Sequence, residues 1–435
     1  MSDRDRVQLL LWRAGLGATP VQVDAAAAKG YAAAVDDLLN FPDAPAPDAP
    51  EVPLIPQPRT AQQGASADEI AANQKARNDA IREGNEAISR WWAERLRTGS
   101  TPLQENLTLF WHGHFATGVD KVRYPALMRE QNQTFRERGA GKFVDLLIAV
   151  SKDPAMLIYL DGNTSVKGRP NENWAREVME LFTVGLGNYT EDDIREAARA
   201  CTGWTIEPYT GVVAFNRNRF DTGTKTVFGQ TGEFTMDDIS RMLADRPQTA
   251  RTISRKLFAW FVADDPADAD LAPMLAAWSA TGGEIRAVLR AMFLSPAFTP
   301  ERAERAHVKH PVAWTMGALR GLEVDFDGLR VSQILQQQGM TLFFPPNVGG
   351  FSRGMSWISP SSQVLRYNLA GPIVQKAGML GGAMDADSLA QLSDRLGGVP
   401  IPDGLRDRLL DLGKTGDGKR AVAQILLAGA GYQTR

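Results

Sequence analysis

The chain has 435 residues, with 48 Lys+Arg against 51 Asp+Glu, 43% hydrophobic residues and a net charge of -3. This is the make-up of a soluble globular protein, which excludes collagen-like, disulfide-scaffold and wholly disordered classes, and the charge balance excludes a globally basic nucleic-acid binder. A single cysteine, Cys201, excludes an intramolecular disulfide, and the four histidines fall as two pairs, His112/His114 and His307/His310.

The first residues, MSDRDRVQLL, carry charges where a secretory signal needs an apolar stretch. No run approaches the roughly 20 apolar residues of a membrane span. The expectation is a soluble, cytoplasmic protein, with export alongside a signal-bearing partner left open. Arg6 to Ala14 reads as a short helix with Val7, Leu10 and Leu11 on one face and Gly15 as its cap. A second helix is predicted from Val21 to Leu39. Seven prolines between Phe41 and Pro58 then remove too many backbone donors for helix or central strand. Residues 41–65 are therefore an extended arm or linker between the N-terminal helices, 1–40, and the main helical body, 66–435. Val52, Leu54 and Ile55 suit an arm lying on the protein's own surface.

Ser66 and Glu69 form the Ser-x-x-Glu capping pattern, which starts a long helix to about Arg97. Ile70, Ile81, Ile88, Trp91 and Trp92 line its apolar edge, interrupted by Asn73, Gln74 and Arg77, so its first half should stand in solvent. Trp91 and Trp92 fit a partner anchor or a dock onto the core equally well. Helices follow at 103–112, 125–137, 171–185, 191–203 and along most of the chain to 428. Val212 to Phe215 and Lys225 to Phe228 are the best strand candidates. The predicted fold is mostly α: a multi-helical single large domain with a small β-hairpin insertion near 205–232 and a Pro-rich extended arm.

Two stretches carry candidate chemistry. In LTLFWHGHFATG, Gly113 predicts a helix end, with His112 closing the last turn and His114 opening the loop. Imidazoles so placed could converge on a metal ion; the alternative is that His112 caps the helix and His114 satisfies a buried carbonyl. In PNENWAREVMELFTVGLGNYT, a helix from Asn171 buries Trp174, Val178, Leu181 and Phe182 and lines up Asn173, Glu177 and Glu180 along one edge. Two carboxylates at i and i+3 suit a metal or acid–base work, unless Arg176, Arg195 or Arg199 pairs with them. Thr190 is the expected N-cap of the next helix, where Cys201 sits among alanines as a packing residue. His307 and His310 precede Pro311, which makes His310 a helix-start residue rather than a helical ligand. Gly350-Phe351-Ser352-Arg353-Gly354 matches a nucleophile-elbow pattern but lacks the strand before and the helix after, so it reads as a loop.

With these stretches in view, the chain resembles the bacterial family of domain of unknown function 1800. The resemblance rests on LLLWRAGLGATP (9–20), LTLFWHGHFATGVDKV (107–122), LLIAVSKDPAMLIYLDG (146–162), NENWAREVMELFTVGLGNYTEDDIREAARACTGWT (171–205), GTKTVFGQTG (223–232) and QQQGMTLFFPPNVGGFSRGMSWISP (336–360). It implies no established activity. It does imply frequent export signals and gene neighbourhood with sulfatase-like proteins. Relatives often carry His-Asp where this chain has Phe220-Asp221, and some carry His at Phe182. Two readings follow. One is a metal-assisted enzyme, hydrolytic or redox, that binds one divalent transition metal through His112, His114 and Glu177. In it Glu177, Glu180 and Asn173 are the catalytic groups, Glu177 as ligand or base and Glu180 or Asn173 orienting it. The other is a non-catalytic scaffold or chaperone-like partner of a sulfatase-like protein.

Overall fold

Leu103, Leu107, Leu109, Phe110 and Trp111 put apolar side chains on every side of the helix Pro102–His114, and every residue from Leu103 to His114 is buried. A helix buried on every side belongs inside a large protein, and the helices Ala67–Thr98 and Pro125–Arg138 pack against it. The structure is a computed structural model that describes residues 1–207, 210–298, 307–414 and 416–435. It is mostly helical, with two small two-stranded antiparallel sheets between about 204 and 232. Among the described residues no helix is long and apolar enough to cross a membrane.

The long helix runs Ala67–Thr98, about 48 Å at 1.5 Å per residue, and begins with the predicted capping box between Ser66 and Glu69. Its second half docks on the central helix. Trp92 is wholly buried and donates its indole N–H to Glu105, while Trp91 is buried against the Arg136 guanidinium. Both tryptophans therefore serve the core. Its polar first half holds the proline-rich segment. Arg77 donates to the Pro56 carbonyl, Asn73 to the Gln57 carbonyl, and the Arg59 backbone N–H to Asn73. Further along the same segment, Gln133 exchanges two hydrogen bonds with Ala46, and Arg129 reaches the Pro50 carbonyl. From Ala46 to Arg59 the segment is thus held on the body, because carbonyls that proline frees from secondary structure find side-chain donors there.

Three local expectations need correction. The stretch predicted as one helix from Val21 to Leu39 is two, Pro20–Ala27 and Tyr31–Leu39, because Gly30 takes φ 85°, which no helix accommodates. The central helix does not end before Gly113; it continues through His114. The β insertion is two hairpins rather than one: Trp204–Ile206 pairs with Val213–Phe215, and Lys225–Val227 with Gln230–Gly232.

Candidate functional site

A carboxylate sits in the first turn of the apolar central helix. Glu105 is fully buried and receives Trp92 Nε1 at 3.2 Å, Arg95 Nε at 2.8 Å, and Nε and Nη2 of the buried Arg136 guanidinium. Arg136 also donates to Asn132 Oδ1, which fixes the Asn132 amide so that its NH₂ faces His112 Nε2 at 2.9 Å. His112 therefore carries its proton on Nδ1, and that atom has no described partner. Burial first, and the Arg136 charge second, push the His112 imidazole well below the usual histidine range. Its ring is enclosed by Trp92, Phe135 and Phe343. His112 thus terminates a buried network that runs from Glu105 through Arg136 and Asn132.

His114 points elsewhere, as residues two apart on a helix must. Its neighbours are Phe110, Trp111, Phe115 and Phe182, none of them shared with His112. The predicted convergence of the two imidazoles rested on a helix end at Gly113; with the helix intact they diverge. His114 Nε2 lies 3.1 Å from the Phe182 carbonyl, so it donates there, and Nδ1 accepts from Lys256 Nζ at 3.2 Å. The same Lys256 ammonium donates to the Leu181 carbonyl at 2.5 Å. Both carbonyls close a π-helical turn, Val178–Phe182, where the regular ladder fails to satisfy them. His114 and Lys256 are its C-terminal cap. Burial, with Lys256 and Arg353 behind it, holds His114 well below its usual range, and burial with Arg353 brings Lys256 down to about 7.

The π-turn also sets the carboxylates. The helix predicted over 171–185 is α only for Asn173–Glu177, then widens to π and ends. Of the three arginines that could have neutralised Glu177 and Glu180, none forms an ion pair with either, although the Arg176 charge acts on Glu177 from a distance. Arg176 binds Glu172 and Glu191, Arg195 binds Asp192, and Arg199 binds Glu196 and Asp221. Glu180 instead accepts the Tyr189 hydroxyl at 2.7 Å, and burial together with that bond pushes Tyr189 up to about 12. Glu177 is half-buried, and no hydrogen bond or ion pair reaches it from a described residue. Burial and the neighbouring Glu180 raise its carboxyl. Asn173 is exposed, its backbone held by Asn171 and its amide 3.5 Å from Asp161.

The remaining candidates settle into structure. His310 is the N-cap of Pro311–Gly321, its Nδ1 accepting the Ala313 N–H, and His307 Nδ1 accepts from Arg435. Lys309 turns onto the Tyr432 ring, 3.3 Å from its centroid. Phe182 packs beside His114, whereas Phe220 lies in the β insertion against Phe215 and Lys225. The buried thiol of Cys201 is pushed upward by its apolar surroundings. No group of three or more His, Cys, Asp or Glu side chains among the described residues is placed to hold a metal ion. Sequence reading passed over Lys256, Arg353 and the Glu105 network. A glutamate inside the apolar run LQENLTLFWHGH was the one available signal.

Fold and site together define a large, mostly helical protein with a π-turn capped by two buried basic side chains, His114 and Lys256. Residues 9–434 match the family model described as Protein of unknown function (DUF1800), and the chain belongs to that family. No curated protein and no solved structure matches it.

Proposed function

We propose that the chain is an enzyme whose working groups are the paired carboxylates Glu177 and Glu180, acting by general acid–base chemistry in a hydrolytic step. The observation that supports this reading is the set of arginine pairings: every nearby guanidinium binds another acid, and Glu177 is left half-buried with a raised carboxyl. Two carboxylates with different surroundings, one held by Tyr189 and one unpaired, are the means by which one site keeps an acid and a base at the same pH. Asn173 is the outer neighbour of this edge.

The metal-assisted form of the reading would require His112 and His114 to give up their present partners, since Asn132 and Lys256 already face their lone pairs. The scaffold reading drew on the polar helix and the proline arm, and these engage one another.

In a carbon-detected NMR titration, the Glu177 carboxyl should titrate above the ordinary glutamate range. Hydrolysis of a chromogenic ester, phosphoester or glycoside should fall about 100-fold or more in Glu177→Gln, the usual contribution of one acid–base group. An ordinary midpoint for Glu177 would overturn the proposal. So would a stoichiometric metal lost on His112→Ala with His114→Ala.

A further inference from the structure

Arg353 is a partly buried arginine to which the structure gives no acid. Its guanidinium makes no hydrogen bond and no ion pair with any described residue, although its charge bears on Lys256 and His114. Asp264 is the carboxylate that faces it, acting electrostatically from beyond ion-pair distance, with exposed Asp265 next to it. The backbone N–H groups of Ser352 and Arg353 likewise find no described acceptor. Lys256 spends two of its three N–H donors, on Leu181 and His114, and the third has no described partner.

The loop bearing Arg353 is held on both sides. Gly350 has φ 87° and lies so close to the Gly113 carbonyl that a Cβ there would overlap it. Phe351 packs against Gly113, and Gly354 abuts the Asp264 carboxylate. The constrained loop therefore sits against Gly113, next in sequence to His114, the residue that Lys256 Nζ reaches at 3.2 Å. Two like charges held together in partly desolvated surroundings repel, and an anion between them removes that cost.

We propose that Lys256, Arg353 and the Ser352–Arg353 backbone form a binding site for an oxyanion, presented between the end of the central helix and the 350–354 loop. A guanidinium fork beside a point-charge ammonium is a combination suited to phosphate-type and carboxylate oxygens. The site stands apart from the Glu177–Glu180 reading and does not depend on it.

The test is calorimetric titration of the full chain with inorganic phosphate, repeated with phenyl phosphate, at low ionic strength. Saturable binding is expected, weakened at least tenfold in Arg353→Met and retained in part in Arg353→Lys. Because Arg353 makes no hydrogen bond or ion pair with a described residue and loses only the longer-range attraction of Asp264, Arg353→Met should melt close to the wild type. Tighter binding of phenyl phosphate would assign the anion to a group carried by a larger molecule; equal or weaker binding would assign it to the free ion. No saturable binding of either probe, or binding that survives Arg353→Met unchanged, would overturn the proposal.

Discussion

Glu105→Ala is expected to destabilise the protein by about 3–5 kcal/mol, the usual cost of removing one partner from a buried ion pair. Glu105 and Arg136 are both wholly buried, and the carboxylate is the acceptor for Arg95, Arg136 and the Trp92 indole at once. Without it, a buried guanidinium keeps its charge and loses its counter-ion, and an indole N–H loses its acceptor. The effect should spread, because Arg136 orients Asn132 and Asn132 orients His112. Chemical denaturation of Glu105→Ala, Arg136→Met and the double variant separates the causes. If the uncompensated charge is the main cost, the double variant should be more stable than Glu105→Ala alone, since an apolar pair replaces an unpaired ion. A loss under 1 kcal/mol in Glu105→Ala would show that the network does not hold the core as described.

That network shows why the histidines were hard to read from the sequence. The helix expected at 103–112 is present within Pro102–His114, and Ser66 with Glu69 correctly announced the start of the long one. Both are local signals, fixed by periodicity and capping within a few residues. The direction of His112 was not local. It depends on Asn132, itself set by Arg136, itself set by Glu105. Gly113 was a misleading cue, since a glycine is tolerated inside a helix that is packed on every side. The carboxylate edge was half legible: Glu177 and Glu180 were found by spacing, but the π-turn between Val178 and Phe182 was not. Its cause lies elsewhere in the chain, in the donors His114 and Lys256, 68 and 75 residues from the carbonyls they bind. Arg353 escaped for the same reason, since nothing in its own loop reveals that no described carboxylate comes within ion-pair distance of it.

The second large effect concerns pH and Asp153. This residue caps Pro154–Tyr159, its Oδ1 accepting the Met156 N–H at 2.9 Å and Gln131 Nε2 at 2.7 Å. Burial outweighs both donors and pushes its carboxyl up to about 7. In the unfolded chain an aspartate titrates near 4. Between roughly pH 4 and pH 7 the folded state therefore binds the proton that the unfolded state has released, so stability must fall as pH rises through that window and level off above it. Three pH units at 1.36 kcal/mol each set a ceiling on the order of 4 kcal/mol for this one group. Asp153→Asn retains an oxygen for Met156 and Gln131, cannot ionise, and should remove the slope. Denaturation midpoints at pH 5 and pH 8 are the measurement. The wild type should lose stability relative to Asp153→Asn on going to pH 8, whereas parallel behaviour at the two values would mean that Asp153 ionises in the fold without penalty. The sign is what makes the result diagnostic, because a cap stabilised by its charge would lose stability in the opposite direction, as pH falls.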